Sequence, residues 1–511
     1  MRMKTFGLFA AAAVLAATTP AIAQKSKDTV RYAVSNPFSV LSNYHLPLDE
    51  AAVLYKKIYE PLIGFDEYKQ KWVPRLAAAW RTVSPGVYEF DLRQDIKFHN
   101  GNKFDANDVR RTLLYAADPA VKMTFKHRYS WVKDVEIISP YKIRIIAKKP
   151  RSDDLELLAF RINIFDAETM DKLDNIEDYG RVSPVGTGIY KAIQMDRNTG
   201  TIVERYDDFK TDPEEKAPTR FIHAIPMPDR QTQVAQLITG GVDLLRGIGP
   251  DAAKELDANP NIDIKNIPSP STFYMMLDSA GVSGNKALTD KRVRRAVFMA
   301  IDRDNLIKHL VPGGAVATKL EALCYKTTLD CKYSVKAPDY DPAAAKKLLA
   351  EAGYPNGFEF EYNVFSPYIQ LGEAIAGDLR KIGVTAKIQS VDISLYRRKQ
   401  GRGELQGLSV LSPSASHPAA SNILNIFFSG PAFQYYNDPI IQEAMDKAGA
   451  EFDDAKRAEY YGKVFDRANS ESYIFPVTSV PTVYAHTKDI EIVPDRYAAG
   501  DVWATSYTYK K

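Results

Sequence analysis

Apolar and polar positions along this chain follow two periods that alternate with one another. "TVRYAVS", Thr29 to Ser35, has the two-residue alternation of a strand. "LDEAAVLYKKIYEPLIGFD" then puts Ala52, Leu54, Tyr55, Ile58 and Tyr59 on one helical face, and Pro61 and Gly64 break the pattern. Two hairpins are predicted next. "AAAWRTVSPGVYEFDLRQDIKF" turns at Ser84-Pro85-Gly86, and "VKDVEIISPYKIRIIAKK" turns at Ser139-Pro140-Tyr141. Between them, "FHNGNKFDANDVRRTLLYAAD" predicts a helix from Ala106, with Asp105 as its cap and Asp108 in its first turn. The chain between Glu60 and Arg181 therefore reads as a compact α+β unit.

Downstream, strands "GIYKAIQM" and "TIVERY" are joined by the turn "DRNTG". The βα units "TRFIHAIP", "RQTQVAQLITGG", "VDLLRGI" and "PDAAKELDAN" follow. The second half opens on "STFYMMLDS". It continues with helices "DKRVRRAVFMAID" and "DPAAAKKLLAEAG", strand "FEFEYNVF", helix "IQLGEAIAGDLRKIG" and strand "VTAKIQSVD". Strands alternating with amphipathic helices predict α/β lobes with largely parallel sheets. No short repeat is present, which excludes a solenoid or propeller.

The 511 residues exceed what one core accommodates, so two or three domains are expected. The opening "MRMKTFGLFAAAAVLAATTPAIAQ" has a basic start at Arg2 and Lys4, an apolar run too short for a permanent anchor, and the small-x-small pattern Ala21-Ile22-Ala23. It reads as a cleaved secretory signal over residues 1–23, which implies a periplasmic protein. No cysteine follows the run, so no lipid anchor is expected. Removing the signal takes away two positive charges and lowers the net charge from +3 to +1. That near-balance argues against nucleic acid or an anionic membrane as the main partner. The only cysteines, Cys324 and Cys331, lie in the exported part and read as a short-loop disulfide.

No HExxH, GxSxG, P-loop or CxxC pattern occurs, so neither an enzyme, a cofactor nor a metal is expected. His99 lies near Asp105 and Asp108, but that segment reads as a tight turn and a helix cap. "PVGTGIY" lacks phosphate-loop spacing and reads as a bend that needs glycine. The most unusual stretch is uncharged from Leu405 to Asn437, in a chain where 26% of residues are charged. Within it, "LSPSASHPAAS" sets His417 close to Ser412, Ser414 and Ser416. The run holds no carboxylate to complete a catalytic triad.

The order of segments resembles the family-5 extracellular solute-binding proteins of ABC importers, the dipeptide- and oligopeptide-binding group. The resemblance rests on "IYEPLIGFD", "VPRLAAAW", "YEFDLRQDIKFHNGNKFDANDV", "SPVGTGIYK", "VRRAVFMAIDRDNLI", "YDPAAAKKLLAEAGYPNGFEFE" and "DLRKIGVTAKIQSVD". It implies a two-lobe periplasmic-binding-protein fold with a two-strand hinge and an extra α+β subdomain in the first lobe. Lobe 1 would comprise 24–60, 182–270 and 482–511, the subdomain 61–181, and lobe 2 271–481. It also implies a monomer that encloses a peptide or peptide-like, opine-like solute between its lobes and hands it to an inner-membrane permease. A sugar, sugar phosphate or other non-peptide ligand is the alternative, and a secreted hydrolase ranks below both.

Dipeptide binders of this group carry GWxGDxxDP where this chain has Val410 to Pro418. On that resemblance Ser414 stands at the amine-binding aspartate, Leu411 near the tryptophan and His417 near the second aspartate. A loop without carboxylates is expected to favour a neutral, hydroxyl-rich or anionic ligand over an unmodified dipeptide. Further binding candidates are Asn43, Tyr44 and His45 after the first strand, Tyr274 after the crossing into lobe 2, and Tyr396, Arg398 and Arg402 in "SLYRRKQGRG". An arginine among them is expected to clamp a carboxylate or phosphate.

Overall fold

Which residues join the two lobes follows from the order of strands in two sheets. The computed structural model describes residues 28–45, 49–123, 126–181, 184–215, 217–412, 417–493 and 507–510. The signal segment, Ser414 and Ser416 lie outside them. The first lobe is built on a seven-stranded sheet whose centre is Thr29–Val34, flanked by Phe221–Pro226 and Leu244–Arg246, both parallel to it. The hairpin Tyr190–Asp196 and Gly200–Arg205 extends one side. Thr482–Thr487 and Ile262–Ile267 extend the other. The second lobe is a five-stranded sheet in the order Thr385–Val391, Glu359–Phe365, Gly407–Ser412, Thr272–Leu277, Ile474–Ser479. A four-stranded antiparallel sheet, formed by the two predicted hairpins, makes the inserted unit.

The expectation of largely parallel sheets is corrected here. Only two of the six pairings in the first sheet and two of the four in the second are parallel. The cause is connectivity. A chain that crosses between lobes and returns must run one strand of each sheet against its neighbours, and the 190–205 hairpin adds another reversal. Apolar runs nevertheless read correctly as strands covered on both faces. In Thr272–Leu277 all six residues are buried. Phe273, Met275 and Leu277 enter one core, and Tyr274 and Met276 enter the core on the opposite face.

The lobes are joined by two short crossings among the described residues, from Ile267 to Thr272 and from Ser479 to Thr482. The crossings hold each other through Val480 N–H donating to the Ser271 carbonyl at 2.8 Å. Parallel strands of both sheets end on this side, which puts their carboxyl ends between the lobes.

The inserted unit shares one apolar core with the first sheet. A buried ion network strengthens the join. Arg75 bonds Glu60 at 2.9 Å and Glu215 at 3.0 Å, and Lys57 bonds Glu215 at 2.5 Å. The predicted helix is Ala106–Ala117. Asp105 accepts from Asn107 N–H, and Asp108 accepts back from Asp105 N–H. His99 is bonded to backbone on both ring nitrogens. Its Nε2–H donates to the Gly188 carbonyl at 2.8 Å, and its Nδ1 accepts from Gly186 N–H at 3.3 Å. The glycines of "PVGTGIY" are required by close approach: a Cβ on Gly186 would lie 1.9 Å from the Ile58 carbonyl oxygen, and one on Gly188 2.2 Å from that of Lys57.

Cys324 and Cys331 are joined in a disulfide, with Cα atoms 5.7 Å apart. Within the loop they close, Leu329 N–H donates to the Pro418 carbonyl at 2.7 Å, and Ala420 N–H donates to the Leu329 carbonyl at 2.9 Å. The disulfide loop thus props the chain that follows the 407–412 strand.

Three expectations follow. Gly186→Ala is expected to destabilise by about 1–3 kcal/mol, because backbone must shift to admit the methyl group; urea unfolding checks this, and an unchanged midpoint would refute the close approach. His99 is held neutral mainly by burial, down to about 4. The unfolded chain takes up this proton near the ordinary histidine value and the native state only near pH 4. Stability of about 3 kcal/mol is therefore lost as pH falls from about 6.5 to 4. In His99→Gln that part of the acid slope should vanish, measured by denaturation at pH 7, 5 and 4. Reducing the disulfide should cost about 2 kcal/mol for so short a loop, read as a lower urea midpoint with reductant; equal midpoints would contradict it.

Candidate functional site between the lobes

The Gly407–Ser412 strand delivers the chain to the edge of the second sheet that faces the hinge, with Ser412 paired to Thr272. The His417 carbonyl accepts from Ala419 N–H at 2.9 Å and from Asn422 Nδ2 at 3.1 Å, and the helix Ala420–Phe428 begins. The absence of charge in this run has a local reason. The helix buries Ala420, Ser421, Ile423, Leu424, Phe427 and Phe428, and a charged side chain on that face would have no water.

Opposite the loop stands the helix Asp154–Phe160 of the inserted unit. Glu156, on that helix, reaches across the lobe boundary. Its Oε2 accepts from Ser421 Oγ at 2.5 Å and from His417 Nε2 at 3.1 Å. The His417 and Glu156 side chains are 4% and 2% exposed. Phe160, one turn further on, packs its ring against the His417 ring at 5.0 Å between centroids. The other Glu156 oxygen, Oε1, is buried without a hydrogen-bond partner. The loop is therefore uncharged but its surroundings are not. Glu156, arriving from the other lobe, brings to His417 a carboxylate that the run itself does not hold.

The electrostatics follow from burial. His417 is held well below the ordinary histidine range by burial first, then by the charges of Arg161 and Arg128, so it is neutral and donates through Nε2–H. Burial pushes the Glu156 carboxyl up to about 7, with the Asp153 charge adding and the Ser421 hydrogen bond opposing. Asp154 is pushed up to about 8 by burial and by Asp153. Arg128 is lowered to about 10 by burial and by Arg161. Behind the loop, Arg457 bonds Asp330 at 2.7 Å and Asp454 at 2.8 Å.

Asn43 and Tyr44 are brought to the same segment. Asn43 Nδ2 donates to the Arg161 carbonyl at 2.5 Å, and the Tyr44 hydroxyl donates to the Asn163 carbonyl at 2.6 Å. His417 from one segment and Asn43 and Tyr44 from another thus meet residues 156–163, although Tyr44 itself is fully buried. His45 instead faces Tyr115, its Nε2 3.2 Å from that hydroxyl. Tyr274 and Tyr396 are core side chains. Tyr274 packs edge-on to Phe427 at 4.4 Å, and the Tyr396 hydroxyl accepts from Gln400 Nε2 at 3.0 Å. Arg398 and Arg402 are exposed, and Arg402 lies 3.8 Å from Glu404, because a guanidinium stays in water unless anions surround it. Only the strand pairing of Ser412 is described.

The lobes also meet elsewhere. Ser152 N–H and Oγ donate to the carbonyls of Gly449 and Ala448 at 2.9 and 2.8 Å, and Gln70 Nε2 donates to the Thr327 carbonyl at 3.1 Å. A crevice of about 400 Å³ opens between Arg230, Val234 and Pro250 of the first lobe and Leu310, Tyr368 and Leu371 of the second. Sequence reasoning missed Glu156, Phe160, Ser421, Arg128 and Arg161. One signal was available for the first: in "DDLELLAF" Glu156 is flanked by Leu155, Leu157 and Leu158.

Comparison with known proteins agrees with this architecture. The chain is 27% identical over 497 residues to a glutathione-binding protein, GsiB, of Shigella flexneri, covering 92% of this chain and 93% of that one. It superposes on NikA from Brucella suis in complex with Fe(III)-EDTA with a TM-score of 0.82 and 21% identity, covering 94% and 100% of the two chains. It superposes on a Pseudoalteromonas dipeptide-binding protein in complex with Met-Leu with a TM-score of 0.75 and 20% identity, covering 94% and 100%. The family model for bacterial extracellular solute-binding proteins, family 5, matches residues 71–455, and with three-quarters of its length inside that match the chain belongs to this family.

Proposed function

We propose that this protein captures a small peptide-like solute between its lobes in the periplasm and delivers it, chemically unchanged, to the permease of an ABC importer. The observation that carries this reading is the Glu156 contact. A side chain of the inserted unit meets His417 and Ser421 of the second lobe where strand-ending loops lie between two sheets joined by only two crossings. Such a junction forms when the lobes close and parts when they open. The names of the relatives support the peptide-like class: one binds glutathione and one was solved with Met-Leu.

Ser421, Glu156 and His417 are the residue types of a hydrolytic triad, but their bonds are in the wrong order. A nucleophilic hydroxyl must donate to the imidazole, which the carboxylate orients. Here Ser421 donates to the carboxylate itself, so the imidazole is not placed to take its proton. The arrangement supports binding rather than catalysis.

Two measurements test this. The protein isolated from the periplasm and denatured should release a peptide-like solute detectable by mass spectrometry, and that solute should raise the melting temperature on re-addition. Release of only a sugar or a metal chelate, or turnover of the solute, would overturn the reading. His417→Ala should weaken solute binding by about 1–3 kcal/mol in calorimetry, since it leaves Glu156 one donor short. Unchanged affinity would reduce the contact to a structural join.

A further inference from the structure

Among the described residues, hydrogen bonds join the inserted unit to the second lobe in three places: Gln70 to Thr327, Ser152 to Ala448 and Gly449, and Glu156 to His417 and Ser421. Two of the three end on the loop closed by the Cys324–Cys331 disulfide or on the chain that this loop props. On one flank, the Leu329 bonds to Pro418 and Ala420 hold the chain just after His417, where the helix that carries Ser421 begins. On the other flank, the Thr327 carbonyl accepts from Gln70 Nε2 at 3.1 Å. The loop is ordered from within. Thr328 N–H donates to the Tyr325 carbonyl at 2.8 Å, Thr328 Oγ1 accepts from Tyr325 N–H at 3.2 Å, and Cys331 N–H donates to the Thr328 carbonyl at 3.2 Å. Asp330, with φ of 61°, ties the loop to Arg457. Gln70 is held in a comparable way. It lies in the turn between the antiparallel strands Ile63–Asp66 and Lys71–Pro74, where Asp66 Oδ1 accepts from the Tyr68 and Lys69 N–H groups. Its φ is 50°, and its Nε2 also donates to the Glu67 carbonyl at 2.7 Å, which aims the amide. A left-handed non-glycine residue is costly and persists only where its surroundings hold it, so one on each side of the same lobe contact marks a built feature.

We infer that the Cys324–Cys331 loop is a closure strut: it fixes the second-lobe donors that meet Glu156 and gives Gln70 its landing point, so that tight closure over the solute requires the disulfide. This rests on the proposed capture of a peptide-like solute and adds what makes the capture tight. Gln70 acts through the Thr327 backbone, as a positioning residue. Contacts between lobes are made when the lobes close, so they slow the release of solute and leave its first encounter unchanged. A dithiol reductant breaks the S–S bond, leaves two thiols on Cys324 and Cys331, and is itself oxidised to a disulfide. The freed loop samples more conformations, and Leu329 and Thr327 are no longer held at one spacing. Both lobe contacts that depend on the loop then weaken together, while the sheets of the two lobes, which lie outside it, remain.

The test uses the full mature protein and two probes without a thiol, the dipeptide Met-Leu and S-methylglutathione, so that the probes do not exchange with the disulfide. In calorimetry the oxidised protein should bind at least one probe about tenfold or more tighter than protein reduced by a dithiol or the double variant Cys324→Ser, Cys331→Ser. Circular dichroism of the probe-free protein should be the same in all three. In stopped-flow, Gln70→Gly keeps the left-handed turn and removes the amide. It should release the probe about threefold or more faster, with an unchanged association rate. In protein without the disulfide the same substitution should have no effect, because its landing point is already lost. Equal affinity with and without the disulfide, an unchanged release rate in oxidised Gln70→Gly, or additive effects of the two changes would overturn the inference and leave peptide capture standing. If neither probe binds the oxidised protein, the proposed function itself fails, and the inference with it.

Discussion

Two lobes joined by a pair of short crossings have no covalent means of holding a fixed distance, so what holds them together is the small set of side chains that meet across the gap. Glu156 is the most deeply buried of these contacts. It places a carboxylate between Ser421 and His417, both of them neutral donors, at a point with almost no water. A carboxylate in such a place is costly unless its surroundings are polar, and those surroundings account for much of the local architecture. His417 must stay neutral to donate without adding charge, and burial together with Arg161 and Arg128 keeps it so.

The second lobe is shaped to present those donors. The chain at Pro418 and Ala420 is held from outside its own segment. It is paired with Leu329, in a loop closed by the Cys324–Cys331 disulfide, and Asp330 of that loop is tied to Arg457. Asp330 adopts a left-handed backbone, with φ of 61°, to make this turn. Beneath it, Tyr274, Tyr396 and Phe427 fill the core on which the helix Ala420–Phe428 rests. Side chains expected to touch ligand are here the support for those that meet the other lobe. A deeply packed support fixes donor positions more tightly than an exposed one.

The first lobe answers from a single segment. Helix Asp154–Phe160 and the residues after it carry Glu156, Phe160, Arg161 and Asn163, and the turn at Asn43 and Tyr44 is bonded to the backbone of that segment. The inserted unit is therefore no peripheral ornament. It shares the core of the first lobe, is joined to it by the Arg75 ion network, and supplies the side chains that face His417.

The sequence by itself determined the local pieces. The strands, the Asp105 cap, both hairpins, the pairing of Cys324 with Cys331 and the glycines at 186 and 188 were legible because each depends on residues close in the chain: periodicity, caps, turns and short loops. The neutrality of Leu405 to Asn437 was legible too, and it marked a real feature, a helix buried against apolar neighbours. Its meaning was not. From the loop alone the site appeared to lack a carboxylate, yet Glu156, 261 residues away from His417, lies within hydrogen-bonding distance. The directions of the strands were likewise settled by the two crossings, not by the residues within each strand. Only tertiary structure decides which charges share a buried space, because electrostatic energy depends on distance and dielectric, and neither is written in the spacing along a chain.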